Sequence, residues 1–415
     1  MRKIGLIFTI VISILVLRIN FKLHSENHSL SETKKDILLQ LDFLETELKE
    51  KNLGVRMQRI FPEGFVFVNA LYGLAWCELA IADSEDKVLK QKAISEAIYA
   101  FDNIDSDQAK WTFPNHLPLE YGVFYNGWRN YLLSKIFCVD KEFENHKYYL
   151  KKFLQQSDLI ENAISSSQTP YLESYRGQSW PADSYVAMAS LANYSRTFGT
   201  RYDKMISLWL ENVTERLDAK TGMIPHKTNS KTGISTQGAR GCSMILMLRM
   251  LGEIDTKIAR EQYGLFSNNF ITEILGLPVI REYPKGQTGF GDIDSGPVIF
   301  GVGFSATIVG IGTFAMFDQY DLSQRQYKTV HSFGLDRKTK KNKKYLLGTL
   351  PMADAFIAWG RATELNFRPD SNKSNRKLWR FKFHAISGLI VIVLWTIYYR
   401  RWIWRHIKTT INTRS

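Results

Sequence analysis

One pattern recurs six times along the chain and constrains its fold more than any other feature. A short loop of glycine, proline, aromatic and charged residues runs into an apolar helix rich in small residues, about every 55–60 residues. A more polar, amphipathic helix is predicted between consecutive members. A repeat of this length predicts helical hairpins that stand side by side around a ring. The apolar helices are predicted to begin near Phe65, Gly122, Pro181, Arg240, Pro297 and Met352.

The predicted helices divide into two classes. Helices that are apolar nearly all round should be covered on both sides, whereas amphipathic helices should lie outside them. The inner helices are predicted at Phe65–Ala82, Gly122–Cys138, Pro181–Tyr194, Arg240–Leu251, Pro297–Phe317 and Met352–Glu364. The outer helices are predicted at Lys87–Ala100, Glu142–Ser165, Tyr202–Leu217, Lys257–Leu275 and Leu322–Phe333, with a polar lead-in helix over 31–53 capped by Ser31. Few segments alternate with period two, so any strands should be short and peripheral. The predicted fold class is all-α, an (α/α)6 toroid of six helical hairpins.

The net charge of +13, from 54 Lys and Arg against 41 Asp and Glu, lies at the two termini. Residues 1–24 hold four basic residues, residues 371–415 hold ten, and neither segment holds an acid. Without these 14, the rest of the chain has 40 basic and 41 acidic residues, a net charge of −1. Basic clusters beside terminal apolar runs are typical of membrane flanks rather than of a nucleic-acid surface. We therefore predict the lipid bilayer as a partner and no nucleic acid.

Two terminal runs predict membrane segments. Ile4 to Leu17 favours an uncleaved signal anchor, with a cleaved signal peptide as the alternative, and Ala385 to Tyr399 favours a spanning helix. The positive-inside rule then places residues 25–370 on the outer side of the cytoplasmic membrane. The predicted segments are 1–24 (anchor), 25–54 (helical lead-in), 55–370 (toroid) and 371–415 (C-terminal span and tail). The flanking aromatic and basic residues of the second run are Trp379, Phe381, Phe383, Trp402, Trp404, Arg400, Arg401, Arg405 and Lys408.

A third uncharged segment, Pro297 to Phe317, is 21 residues long and could span a bilayer by length alone. Three spans would place the two basic termini on opposite sides of the membrane, against the charge rule. Its many glycine, serine and alanine residues instead favour close packing between helices. We predict that this segment is the innermost helix of the ring.

A ring brings the loops before its inner helices to one end, so Glu120, Asp183, Arg240 and Asp294 could share one cavity. The loop sequences that resemble a known group are Tyr121–Trp128, Gln178–Ser184 and Gly291–Pro297. Over roughly residues 55–365 the chain resembles the six-hairpin glycosidase-like proteins, including the branch near linalool dehydratase-isomerase. The resemblance implies the toroid fold and, for most members, hydrolase, lyase or epimerase activity on glycans. The linalool branch implies addition and removal of water on a terpene alcohol, with cysteines beside acids, and no matching cysteine pair is evident.

The segment Gly291–Pro297 carries the highest density of functional residue types. Asp292 and Asp294 could form a carboxylate pair that activates water or protonates a leaving oxygen. The structural alternative is that Asp294 or Ser295 caps the next helix, with Pro297 in its first turn. Asp292 has no capping role in that register.

The loop before the third inner helix offers a second acid. Asp183 follows Pro181 in the first helical turn, where the helix dipole alone would favour an anion, and it is also a candidate acid or base. Trp180 could stack on a sugar ring. The polar, planar groups just upstream that are typical of glycan clefts are Tyr175, Arg176 and Gln178.

The remaining candidates come from three other loops. Glu120 precedes the second inner helix and is a candidate carboxylate, while Glu282 is either a second catalytic carboxylate or a surface ion-pair partner of Arg281 or Lys285. Arg240 could hold a substrate carboxylate through two hydrogen bonds. His226 is either a substrate-binding residue or an exposed turn residue. Further predicted substrate contacts are Tyr125, Asn126, Trp128 and Tyr283.

The sequence predicts no metal and no cofactor, because it holds no zinc spacing, Walker loop, dinucleotide turn or nucleophile elbow. Cys77, Cys138 and Cys242 are predicted to be small buried hydrophobes, with a reactive thiol as the alternative for Cys242. Three functions follow. The first is a membrane-anchored carbohydrate-active enzyme with acid/base carboxylates. The alternatives are a hydratase or isomerase of an apolar alcohol, and a non-catalytic envelope scaffold or glycan-binding protein.

Overall fold

The computed structural model describes residues 2–25, 29–369 and 378–412, with side chains described up to residue 400. The described chain is mostly helical with a few short strands, so the all-α prediction is confirmed. The helices are α1 Arg2–Leu23, α2 Leu30–Glu50, α3 Leu53–Gln58, α4 Gly64–Ala82, α5 Lys87–Ile104, α6 Asp107–Lys110, α7 Gly122–Val139, α8 His146–Ser165, α9 Pro181–Phe198, α10 Asp203–Thr214, α11 Gly241–Ile254, α12 Thr256–Phe270, α13 Phe304–Met316, α14 Tyr320–Phe333, α15 Pro351–Asn366 and α16 Phe381–Asn412. The strands are β1 Lys227–Thr228, β2 Ser235–Gln237, β3 Ile271–Ile274, β4 Leu277–Ile280, β5 Val298–Ile299, β6 Val302–Gly303, β7 Arg337–Lys338 and β8 Lys343–Lys344. They pair in order as four antiparallel hairpins.

Six helices pack in a closed cycle. Each of α4, α7, α9, α11, α13 and α15 packs against the next, and α15 returns to α4. Helices α5, α8, α10, α12 and α14 each pack against the helix that precedes them, and α2 packs against α15. Glycine permits the close approaches, since a Cβ on Gly312 would lie 2.9 Å from the Gly360 carbonyl oxygen of the neighbouring helix.

The six helices of the cycle point the same way. A cavity of about 600 Å³ lies at one end and is lined by residues from the C-terminal turns of all six. Their N-termini therefore meet at the other end, which we call the mouth. It is defined by the first residues of these helices: Gly64, Gly122, Pro181, Gly241, Phe304 and Pro351.

The fifth inner helix is shorter than predicted. The prediction of a helix from Pro297 to Phe317 is wrong over its first seven residues, because β5 and β6 form a hairpin there. Phe300 and Gly301, at the turn of this hairpin, have positive φ angles of 53° and 78°, which a helix cannot contain. The helix begins at Phe304 with Gly303 as its N-cap, so neither Asp294 nor Ser295 caps it.

Other helix ends also differ from the predictions, and for two of them the local cause is visible. Helix α12 stops at Phe270, and the β-branched segment that follows pairs with Leu277–Ile280 instead of extending the helix to Leu275. The lead-in helix begins two residues earlier than predicted. Its N-cap is Ser29 rather than Ser31, and Glu32 completes a capping box.

Buried charges hold α2 against the cycle. Asp36 forms ion pairs with Lys343 at 2.5 Å, with Lys338 at 2.9 Å and with Arg361, and its side chain is almost fully buried. Lys343 is 2% exposed, so its ammonium group is a buried counter-charge to Asp36 rather than a solvated surface group. Asp354 is likewise buried, where it accepts a hydrogen bond from Gln40 at 3.0 Å, and burial raises its pKa to about 7.

The two terminal helices pack against each other. The indole Nε1 of Trp395 donates to Ser13 Oγ at 3.1 Å, and the Asn20 amide donates to Ser387 Oγ at 3.0 Å. Lys3–Leu23 and Phe381–Arg400 are long and apolar enough to cross a membrane, and both are largely uncovered by protein. Gly64–Ala82 has a similar length and hydropathy, but it is 83% buried within the cycle and belongs to the core. The predicted side-chain flanks Trp402, Trp404, Arg401, Arg405 and Lys408 lie outside the described side chains.

Candidate active site

The mouth is lined by loops that each lead into a helix of the cycle. Helix α9 begins with Pro181 at its first position, which fixes the preceding loop against the ring and leaves Asp183 in the first turn. Helix α11 begins at Gly241, whose N–H donates to the Glu282 carbonyl at 2.8 Å. A Cβ on Gly241 would lie 2.0 Å from the Arg281 carbonyl oxygen, so glycine is needed for this approach. The contact joins the α11 loop to the loop that carries Asp292 and Asp294.

Arg240 is the centre of the polar side chains at the mouth. Its Nε donates to Glu282 Oε1 at 2.7 Å, and its Nη1 forms an ion pair with Asp292 and lies 3.4 Å from His226 Nε2. The guanidinium also lies over the Tyr283 ring, 5.3 Å from its centroid. Protein carboxylates bind Nε and Nη1, whereas the buried Nη2 has no hydrogen-bond partner among the described residues. The two-bond capture of a substrate carboxylate therefore stays a prediction.

Glu282 and His226 are both buried, with 0% and 4% of their surfaces exposed. The alternative that Glu282 forms a surface ion pair is therefore wrong, and so is the alternative that His226 is an exposed turn residue. Burial and the nearby Arg240 charge lower the pKa of His226 to about 3, so its imidazole is neutral. Its Nδ1 lies 3.0 Å from Ser243 Oγ.

Cys242 is bound to Glu282. Its thiol donates to Glu282 Oε1 at 3.0 Å, and its backbone N–H donates to Oε2 at 3.2 Å. Burial and the neighbouring carboxyl raise the pKa of this thiol well above its usual value. A neutral thiol is a weak nucleophile, so the reactive-thiolate alternative finds no support. Cys77 is buried as predicted, whereas the prediction for Cys138 is wrong because that residue is exposed.

Asp292 is held as an ionised carboxylate. Its Oδ1 accepts the Ser295 backbone N–H at 3.0 Å, and its own N–H donates to Ser295 Oγ at 3.0 Å. Burial opposes ionisation, but the hydrogen bonds from Arg240 and from the Ser295 backbone outweigh it and lower the pKa to about 2.

Asp294 and Asp183 have raised pKa values, in contrast to the lowered pKa of Asp292. Burial, followed by the charges of Asp292 and Glu63, raises the pKa of Asp294 to about 6. Burial raises the pKa of Asp183 to about 8, with smaller contributions from Asp294 and Glu63, although a hydrogen bond from Ser174 opposes the shift. The mouth therefore holds one carboxylate and at least one carboxylic acid near neutral pH.

Glu63 is a site residue that the sequence analysis missed. It is the N-cap residue of α4, and its Oε1 accepts the Tyr175 hydroxyl at 2.6 Å. Its position directly before the first inner helix matches that of Glu120, which precedes the second. Glu63 lies between Pro62 and Gly64, a sequence typical of an ordinary turn, so it was not selected as a candidate.

Aromatic rings line the same region. Trp180 is half-buried, its ring meets that of Tyr175 edge-on with centroids 6.4 Å apart, and Lys227 Nζ lies 4.8 Å from its centroid. Arg176 is exposed and Gln178 is half-buried, and both lie in the tight turn in which Gln178 N–H donates to the Tyr175 carbonyl at 2.8 Å.

Three predicted substrate contacts are buried inside the ring, and the predicted acid Glu120 is exposed. Asn126 is satisfied internally, since its amide donates to the Glu120 carbonyl at 2.6 Å and its Oδ1 accepts from Gln156 at 2.8 Å. The Tyr125 hydroxyl donates to the Ile104 carbonyl at 3.0 Å, and Trp128 is 0% exposed inside the ring. The exposed Glu120 carboxylate bonds to the adjacent Tyr121 hydroxyl, and no described contact joins it to the acids around Arg240.

One nitrogen of His226 and carboxylate oxygens of Asp292 and Asp294 lie within 4.8 Å of one another, a spacing that could hold a metal ion. The Arg240 guanidinium already contacts two of these three residues. Its fixed positive charge opposes a second cation at this position.

No protein-family model matches this chain, and no curated protein matches it either. A solved structure of a family 105 glycoside hydrolase from C. acetobutylicum ATCC 824 is similar over 71% of this chain and 93% of that one, with 14% identity and a TM-score of 0.49. A likeness at that TM-score does not indicate a function for this chain. The residues at the mouth are the basis for any functional conclusion.

Proposed function

We propose that the protein is a membrane-anchored enzyme that cleaves carbohydrate by acid/base catalysis at the mouth of an (α/α)6 toroid. The closed cycle of helices, each backed by a neighbour, supports the toroid. The observation that carries the catalytic proposal is the pair of Asp292 and Asp294, whose carboxylate oxygens lie within 4.8 Å while their pKa values are driven apart. Asp183 and Tyr175 are close enough for the Asp294 charge to act on them. Two carboxyl groups with opposite protonation are the requirement for cleaving a glycosidic bond.

The roles follow from protonation. Asp294, or Asp183 behind it, donates a proton to the oxygen of the leaving sugar. Asp292 is ionised and accepts a proton, from water in a hydrolase or from a sugar carbon in a lyase. Arg240 keeps Asp292 charged and in place, and Glu282 fixes Arg240 from its buried side. Trp180 offers an aromatic face on which a sugar ring can stack.

The anchoring part of the proposal rests on the two terminal helices. Both have the length and hydropathy of spans, and the charge bias of their ends favours a cytoplasmic location for both termini. The ring, residues 55–370, then belongs to the outer side of the cytoplasmic membrane, in the cell envelope.

The two alternatives receive less support. A scaffold predicts a mouth without two carboxylates in reach of one ligand, but those of Asp292 and Asp294 are within 4.8 Å. A hydratase of the linalool type predicts paired cysteines, but Cys242 is the one cysteine that the described residues place at the mouth. Cys138 lies on the cavity at the opposite end.

The pH dependence of kcat/KM tests the proposal, with reducing ends released from envelope glycans as the assay. Asp292 must be ionised, so activity is lost only as the pH falls through about 2. The acid must be protonated, so activity is lost as the pH rises through about 6 if Asp294 donates, or about 8 if Asp183 does. A rate that increases from pH 6 to 9 would contradict both assignments.

A further inference from the structure

The terminal helices leave the protein at the same end as the candidate active site. Helix α14 runs toward the mouth, and α1 lies antiparallel to it. Arg18 bonds to the Ser332 carbonyl and Asp336, and Lys22 reaches Asp336 and lies 3.4 Å from His331. Lower residue numbers on α1 therefore lie farther beyond the mouth. At about 1.5 Å per residue, the stretch from Arg18 back to Lys3 extends about 22 Å past this level.

Helix α16 follows the same direction. Arg380 Nη1 donates to the Leu23 carbonyl at 2.9 Å, and farther along the pair Trp395 meets Ser13. The two helices thus rise side by side away from the mouth. A bilayer that holds both lies next to the mouth and not at the opposite end of the ring.

Exposed apolar side chains occupy the loops at this end. We call them the membrane rim: Phe290, Ile293, Ile299, Phe300 and Leu347, which are 94%, 64%, 50%, 87% and 61% exposed. The loop around Phe290 is held in shape, because its carbonyl accepts the Tyr283 hydroxyl at 2.9 Å and the Gln287 carbonyl accepts Arg281 Nη2 at 2.9 Å. Several large apolar side chains held outward at one end of a protein mark an interaction surface.

We propose that the membrane rim inserts into the bilayer interface, so that the mouth takes its substrate directly from the membrane. The substrate is an amphiphile with a saccharide headgroup on a lipid chain. The headgroup enters between Trp180 and Asp294 while the chain stays in the bilayer. The docking of the mouth to the membrane does not depend on the proposed function, whereas the saccharide headgroup of the substrate rests on it.

Docking is tested in the full-length protein, reconstituted into vesicles of anionic and zwitterionic phospholipids with brominated acyl chains. A fluorophore is attached at Phe300→Cys in a Cys138→Ser, Cys242→Ser background. The control carries it on native Cys138, at the opposite end, in a Cys242→Ser background; Cys77 is buried and stays unlabelled. We expect quenching several times stronger at position 300 than at position 138. Equal quenching, or none at position 300, would overturn the docking.

Substrate delivery is tested with the Phe290→Asp, Phe300→Asp double variant. On a glycolipid in vesicles we expect kcat/KM to fall about tenfold or more, because two apolar groups no longer enter the interface. On the soluble oligosaccharide headgroup we expect no change. Equal losses on both substrates would contradict delivery from the membrane. If wild type cleaves neither substrate, the proposed function fails, while the quenching experiment still decides the docking.

Discussion

The Asp294→Asn variant is expected to lose about 10²- to 10⁴-fold in kcat, the usual contribution of a positioned general acid. An amide has nearly the same shape but no proton to donate to a leaving oxygen. Asp294 lies in a loop and does not cap α13, so the variant should fold like wild type. The measurement is the rate of reducing-end release at saturating substrate.

Two further variants sharpen this result. Asp107→Asn is the control, because its carboxylate is fully exposed and no described contact joins it to the acids around Arg240, so it should retain wild-type kcat. Asp183→Asn separates the two candidate acids. If it loses as much as Asp294→Asn, the pair acts as a unit, whereas a much smaller loss leaves Asp294 as the donor. Wild-type rates in both mouth variants would remove the acids from the mechanism.

The largest expected loss of stability comes from Asp36→Asn on α2. This change leaves the buried cations of Arg361 and Lys343 without their carboxylate, and breaking a buried pair costs about 3–5 kcal/mol. Burial raises the pKa of Asp36, but the charges of Arg361 and Lys343 lower it by more, so the pKa lies well below its usual range. The ion pairs of Asp36 therefore remain intact in acidic solution. The measurement is the midpoint of urea unfolding of the detergent-solubilised chain.

Asp42→Asn on the same helix is the matched control for Asp36→Asn. Its carboxylate is exposed, so the free energy of unfolding should change by less than about 0.5 kcal/mol. Equal midpoints for the two variants would show that the buried ion pairs do not hold α2 against the cycle.

The sequence predicted the helices whose burial is uniform. Gly64–Ala82 and Gly122–Val139 lie within one residue of their predicted ends, because an inner helix must be apolar all round and the chain shows this directly. The hairpin before α13 could not be predicted in the same way. Residues 297–303 are uncharged and as apolar as a helix start, and the positive φ angles that break the helix follow from packing of the loop against Arg281 and Glu282.

The sequence predicted where along the chain the candidate site residues lie, but not which of their side chains contact one another. Asp183 lies in the first turn of an inner helix, and Asp292 and Asp294 lie in the loop before another. The carboxylate oxygens of Asp292 and Asp294 lie within 4.8 Å of each other. Asn126 and Trp128 occupy similar loop-proximal positions, yet their partners lie inside the protein. The burial of Glu282 could not be predicted from its neighbours in the sequence. It depends on the counter-charge of Arg240, which lies 42 residues away along the chain.

The most direct test of the catalytic account is the protonation of the mouth carboxyls in the absence of any substrate. Infrared difference spectra, recorded across a pH titration of the full-length protein, follow the band of protonated carboxyl groups. We predict that a component titrating near pH 6 is lost in Asp294→Asn and that one near pH 8 is lost in Asp183→Asn. A component near pH 7 from buried Asp354 should remain in both. Identical titrations in wild type and both variants would show that no proton is held at the mouth, and the acid/base account would fail.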